Sequence, residues 1–257
     1  MNWNDLFLAP DEKPLDRFVT GISNTAIFRT IGFIGDSLSS GEFESRNEQG
    51  QPGYHDYFEY SWGQYIARKN GLTARSFSRG GMTAKEYVES FADANRFWSP
   101  ELACQAYVIA LGVNDILNAG MPVGAIGDID PQDETKNAPT FAGYYARIIM
   151  KLKKIQPRAK FFLVTMPRCG GDEPLKKAHR DLLHEMAAYF DNAYVIDLYD
   201  YGPVYDEAFQ KRFYLYGHLN AAGYILTANM VDAYIDYIIR RQPEDFNLVP
   251  YIGTDLK

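Results

Sequence analysis

Five short apolar runs punctuate the chain, and each is followed by a stretch with helical spacing. The runs fall at 30–35 (TIGFIG), 73–78 (TARSFS), 106–112 (AYVIALG), 160–167 (KFFLVTMP) and 193–198 (AYVIDL). Three are close to continuously apolar rather than alternating, the pattern of parallel strands covered on both faces. The second is weaker and reads as an edge strand. Between the runs, 57–69 sets Phe58, Trp62, Tyr65 and Ile66 on one helical stripe and stops at Asn70-Gly71. Thr83 is placed to cap a helix reaching Phe91, 142–155 closes before Pro157, and 174–190 carries Pro174 in its first turn. A last long helix starts at Asn220 or a neighbour and runs to about Arg241.

Strands alternating with helices predict an α/β fold, a doubly wound sandwich on a mainly parallel five-stranded sheet. Two stretches, 42–55 and 124–140, are too polar for core and read as loops beyond strand ends, where such folds keep their active-site segments. No repeat or Pro/Gly/Ser-rich linker appears. The expected organisation is an N-terminal arm at 1–28, one domain over 29–245 and a tail at 246–257.

The 257 residues, 46% of them hydrophobic, suit one domain with a full core. A net charge of −7 argues against a nucleic-acid partner, because neutralising phosphates calls for clustered Lys and Arg. Lys151, Lys153 and Lys154 read as the solvated end of a helix. Cys104 and Cys169 make no disulfide framework and lack metal-ligand spacing, so no metal is expected. The start, MNWNDLFLAPDEK, has no basic region followed by an apolar one, and no run of 18 apolar residues occurs; a cytoplasmic protein without a membrane span is expected. Oligomeric state is not legible.

The chemistry gathers at strand ends. The first run leads into Gly35-Asp36-Ser37-Leu38, a strand-to-turn junction that presents a serine hydroxyl and its N–H at the sheet's carboxyl edge. Alone, this could equally be a capped turn. After the second run, Ser78-Arg79-Gly80-Gly81-Met82-Thr83 offers an uncovered backbone N–H before a helix. After the third, Gly112-Val113-Asn114-Asp115 brings a side-chain amide. In a sheet ordered 2-1-3 these three ends surround one crevice. His218, in Tyr216-Gly217-His218-Leu219-Asn220, supplies the base that a serine hydroxyl needs near neutral pH. His179 and His184 read as surface or partly packed helix residues. Asp36, His55 and Tyr216 are candidate substrate contacts, and Tyr54, Tyr57 and Tyr214 are further aromatics near the site.

With Ser37 in GDSL, Gly81 in GGMT, Asn114 in GVND and His218 in GHLN, the chain resembles the SGNH (GDSL-type) hydrolases over about 29–241. The resemblance implies a flavodoxin-like three-layer α/β/α fold, Ser37 as nucleophile with His218 as general base, and an oxyanion hole from the Ser37 N–H, the Gly81 N–H and the Asn114 amide. It implies no cofactor. The family's Asp three residues before the histidine is replaced here by Leu215, which leaves three arrangements open. The imidazole is held by a backbone carbonyl in a Ser–His dyad, the arrangement favoured on sequence; or by a carboxylate from elsewhere, with Asp200, Asp206 and Glu207 as candidates; or the cleft has little hydrolytic activity. The expected function is a serine esterase acting through an acyl-enzyme on a short-acyl or O-acetyl ester, with a small-molecule or carbohydrate substrate. Its rivals are a non-catalytic binding cleft, a flavin or nucleotide binder (disfavoured by the absence of a phosphate-binding glycine pattern) and an acyltransferase.

Overall fold

A computed structural model of the chain describes residues 7–256. Five parallel strands form the central sheet: β1 (Thr30–Gly35), β4 (Thr73–Ser76), β5 (Ala106–Ala110), β6 (Lys160–Val164) and β7 (Ala193–Ile196), in the order β4-β1-β5-β6-β7. The weak second run is thus an edge strand, and its neighbour β1 runs beside β5 from Ile31↔Ala106 to Gly35↔Ala110.

Alternation along the strands divides the core in two. Ile31 and Phe33 of β1, Val108 of β5 and Phe162 of β6 face a layer that includes helices α1 (Trp62–Asn70) and α5 (Ala221–Arg241). Ile34, Tyr107, Ile109, Phe161 and Leu163 face the opposite layer, with α2 (Phe141–Ile155) and α3 (Glu173–Tyr189). Both strand faces are therefore dry, which is why these runs read as continuously apolar. Each fully buried Phe or Ile adds roughly 1.5–3 kcal/mol. The result is a three-layer α/β/α sandwich.

Helix ends follow the local signals. Ser61 caps α1 by accepting the Gln64 N–H, and Gly71 ends it in the left-handed region. Asn220 caps α5 through the Gly223 N–H. The segment expected as a helix from Thr83 begins as expected but widens into a π turn at Tyr87–Phe91 before a last turn, Ala92–Ala94.

The stretch 42–55 is not a loop. It forms an antiparallel hairpin, β2 (Glu42–Arg46) and β3 (Pro52–Asp56), closed by a turn in which the Gly50 N–H donates to Asn47. Two of its charged residues are not in solvent: Glu42 and Glu44 alternate inward and are only 9% and 4% exposed. Stretch 124–140 contains two short 3-10 turns, Ile126–Asp128 and Glu134–Lys136. Of the N-terminal arm, residues 1–6 lie outside the described residues. Within the rest, the Ser23 hydroxyl bonds Asp232 and Asn24 bonds Asp236 on α5. Toward the other end, Phe246, Val249 and Ile252 are buried in the α1/α5 layer. Among the described residues no helix is long and apolar enough to cross a membrane.

Candidate active site

Beyond β1 the chain turns sharply. Asp36 is the N-cap of a single helical turn, Ser37–Ser40, accepting the Leu38 N–H at 3.1 Å, and Gly41 closes the turn with φ 82°. This places Ser37 at the start of the helical turn, two residues past the strand, facing a cleft of about 660 Å³ at the carboxyl edge of the sheet. Gly81, Asn114 and His218 line the same cleft. Gly81 has φ 71°, a conformation that turns the chain just before the Thr83-capped helix. Asn114 donates to the Met82 carbonyl at 3.2 Å and accepts from Asn118 at 2.8 Å. One of its two amide protons is therefore not used in these bonds. Asp115, fully buried, takes the Ala84 N–H on its carboxylate and ties the Asn114 turn to the Gly81 turn. Burial raises the pKa of Asp36 to about 6 and does the same at Asp115.

His218 lies in a short hairpin, β8 (Tyr214–Leu215) and β9 (His218–Leu219), in which it is paired with Leu215. Tyr216 opens the two-residue turn with φ 58°. Leu215 is exposed. The imidazole is instead flanked by the two inward glutamates of β2. Its Nδ1 lies 3.2 Å from Glu44 Oε2, and its Nε2 lies 2.9 Å from Glu42 Oε1. The same Glu44 oxygen accepts the Gly217 N–H at 2.8 Å, and its other oxygen pairs with Arg46. Burial works to raise the Glu44 pKa, but the Gly217 N–H, His218 and Arg46 outweigh it and hold the carboxyl below its usual range. An ionised Glu44 can only accept, so Nδ1 carries the proton and a neutral ring would leave Nε2 as the acceptor.

Glu42 behaves differently. Burial pushes its pKa up, with the opposing pull of His218 second. If both the Nε2 and the Glu42 oxygen were bare, two acceptors would face each other, so one proton is shared across that contact. Glu42 also fills the space over Gly80, where an added Cβ would come within 2.1 Å of Oε2. Among the described residues no hydrogen bond joins Ser37 Oγ to His218.

The structure brings Ser37, Asp36, Gly81, Asn114 and His218 to one cleft, along with Tyr54 and Tyr214. Tyr54 sits edge-on to the His218 ring at 5.6 Å. His55 and Tyr216 do not line it: His55 contacts Ser45 Oγ and stacks on Tyr57, and Tyr216 lies under the Arg46 guanidinium. The three acids considered for His218 have other positions. Asp200 pairs with Arg180, Asp206 caps helix α4 (Glu207–Phe213) through the Phe209 N–H, and Glu207 is exposed in that helix's first turn. Asp200 and Asp206 follow a strand in sequence but are spent on local bonds. Glu42 and Glu44 were missed because polarity placed them in solvent; the E-x-E alternation ahead of the Asn47–Gly50 turn was the available signal.

His179 departs from the surface or partly packed position expected of it. It is fully buried, with Nε2 3.1 Å from the Leu111 carbonyl and Nδ1 accepting the Met166 N–H at 3.4 Å, so it ties the ends of β5 and β6. Burial lowers its pKa to about 4. His184, half exposed, pairs with buried Asp197 at 2.7 Å.

A model of the GDSL-like lipase/acylhydrolase family matches residues 33–226. The chain belongs to that family. The matched span holds the Ser37 turn, Gly81, Asn114, the β2–β3 hairpin and His218, so this GDSL-like protein has its ester-hydrolase class from the family as a whole. No curated protein matches the chain. Among solved structures it is similar to a family two carbohydrate esterase from Clostridium thermocellum in complex with cellohexaose, at 16% identity and TM-score 0.57, covering 88% of this chain and 67% of that one. It is also similar to a carbohydrate esterase family 2 enzyme plus carbohydrate-binding domain from Corynascus thermopiles, at 18% and 0.56, covering 82% and 66%. A protein from Lactobacillus plantarum matches at 18% and 0.60, covering 82% and 97%. At these identities the likeness is one of fold.

Proposed function

We propose that this GDSL-like hydrolase is a serine esterase in which Ser37 is the nucleophile, His218 the general base and Glu44 the acid that orients it. The observation that carries the reading is the Glu44 carboxylate on His218 Nδ1, in a cleft that also holds Ser37, Gly81 and Asn114. Glu44 does for the ring what an aspartate does in a Ser-His-Asp triad: it fixes the tautomer and stabilises the imidazolium. It comes from the strand after the nucleophile rather than from the turn before the histidine.

In the proposed reaction, Nε2 exchanges Glu42 for the Ser37 hydroxyl and takes its proton as Oγ attacks the ester carbonyl. The Ser37 and Gly81 N–H groups and the spare Asn114 amide proton receive the developing oxyanion. His218 then protonates the leaving alcohol, and water with His218 as base releases the acid from Ser37. The substrate is a short-acyl or O-acetyl ester on a carbohydrate. Tyr54 and Tyr214 in the cleft support a sugar, since an aromatic face packs on the apolar face of a pyranose, and the carbohydrate-esterase likeness points the same way.

The test is acetate release from O-acetylated oligosaccharides compared with p-nitrophenyl acetate. A higher kcat/KM on the sugar ester supports the substrate; equal turnover of simple aryl acetates only would remove the carbohydrate. A second reading, a binding cleft without turnover, is favoured by the Glu42 contact on Nε2, and it predicts saccharide binding with no acetate released.

A further inference from the structure

The wall of the same cleft holds a second pair of reactive side chains, Cys169 and Lys176. Cys169 lies in the loop leaving β6 and is exposed, whereas Lys176, in the first turn of α3, is only 2% exposed. Lys176 Nζ is 2.8 Å from Cys169 Sγ, 2.8 Å from the Gly171 carbonyl and 3.3 Å from the Gly170 carbonyl. An ammonium has three protons, and these three acceptors take all of them. Among the described residues no carboxylate is ion-paired with it, so the partners of this buried cation are one sulfur and two backbone oxygens.

The backbone around the amine is held in place. Gly170, Gly171 and Asp172 take φ of 68°, 67° and 50° in succession, which wraps the loop so that both glycine carbonyls meet Nζ. Asp172 is one of the few non-glycine residue types that enters this left-handed region readily. Cys169 Sγ and Lys176 Nζ are thus kept together by a preformed ring of chain, with the sulfur side open to solvent and the nitrogen side closed. A direct S–N bond would require the two to close far inside their present separation. A single intervening oxygen would not.

We propose that Cys169 and Lys176 form an oxygen-bridged S–O–N cross-link at the rim of the cleft, with dioxygen as the oxidant. The thiol and the ammonium react with one O₂. One oxygen atom becomes the bridge, bonded to Sγ and Nζ, and the other leaves as water. The S–H bond and two N–H bonds are lost, and one proton passes to solvent. Sulfur and nitrogen together give up the four electrons that O₂ accepts. Four equivalents of a thiol reductant reverse the step, returning thiol, amine and water. The cross-link joins the loop after β6 to α3 and stiffens the cleft wall that Pro167 and Cys169 share. Cys104 is the internal control, since it is buried, its Sγ bonds the Leu102 carbonyl, and burial pushes its thiol up to about 12.

The experiment compares the whole protein kept anaerobic with reductant against protein exposed to oxygenated buffer, by intact mass and tryptic mapping. The expected result is a gain of one oxygen less two hydrogens, loss of iodoacetamide reactivity at Cys169, and loss of the tryptic cut after Lys176, so that 169–177 appears as one internally bridged peptide. Dithiothreitol should reverse all three. Cys169→Ser and Lys176→Arg should show none, with thermal melts confirming that both variants fold. A Cys169 thiol that stays fully alkylatable under oxygen would overturn the proposal. So would oxidation to sulfinic or sulfonic acid alone at the same rate in wild type and Lys176→Arg. Should Lys176→Arg fail to fold, the wild-type peptide map and Cys169→Ser still decide.

Discussion

At the scale of single residues, the two glutamates around His218 have unlike surroundings and should have unlike effects. Glu44 is held ionised by the Gly217 N–H, His218 and Arg46, whereas burial favours the protonated form of Glu42. Glu44→Gln would leave a group that no longer fixes Nδ1–H. Turnover is expected to fall by up to about 10⁴-fold with little change in KM, as when a triad aspartate is replaced by its amide. Glu42→Ala removes a competitor for Nε2 and should leave kcat within about tenfold of wild type. Steady-state kinetics on p-nitrophenyl acetate check both. Equal losses in the two variants would contradict the division of roles.

Among elements, the β2–β3 hairpin matters most, because it carries both glutamates to the histidine. Phe43, between them, packs against Tyr57, Tyr60 and Tyr224, and the Tyr224 hydroxyl donates to the Glu42 carbonyl at 2.6 Å. Phe43→Ala should cost about 2 kcal/mol by denaturant unfolding, below the ~3–5 of a fully buried Phe because Phe43 is only half-buried, and should cost proportionally more in activity. His179 gives a second prediction at this scale. Its folded pKa of about 4 lies below the ~6.5 of the unfolded chain, so the unfolded state binds the extra proton. Its contribution to stability is complete above pH ~6.5 and is lost as pH falls toward 4, by about 1.4 kcal/mol per unit. Asp36 and Asp115 act in the opposite sense, their contribution being lost as pH rises toward 6, so total stability hides the histidine. The difference between wild type and His179→Gln isolates it: the variant should gain on wild type as pH is lowered from 6.5 to 4. A difference that is flat with pH would contradict the buried neutral ring. The elements were legible to different degrees for physical reasons. β1, β5 and β6 are dry on both faces, so composition alone reveals them, and Ser61, Gly71 and Asn220 mark their helix ends by backbone chemistry that is local. The hairpin is signalled locally only by the E-x-E alternation before its turn, whereas the partners that satisfy its inward charges, Gly217 and His218, lie far along the chain. For His179, too, the Leu111 carbonyl that it meets lies far along the chain.

Over the whole molecule, the strand order β4-β1-β5 is what gathers the Ser37, Gly81 and Asn114 turns at one sheet edge, and three of the four blocks could be placed together from sequence for that reason. The fourth, His218, arrives from the start of α5, and the glutamate on its Nδ1 comes back from the hairpin beyond β1, a closure between distant parts of the chain. The central claim is that this assembly activates Ser37. The most direct measurement is fluorophosphonate labelling of wild type, Ser37→Ala, His218→Ala and Glu44→Gln, read by intact mass. A single adduct on wild type, absent in Ser37→Ala and strongly slowed in the other two, is the predicted result. No adduct on wild type under conditions that label a control esterase would contradict it, and the cleft would then be one that binds without turning over.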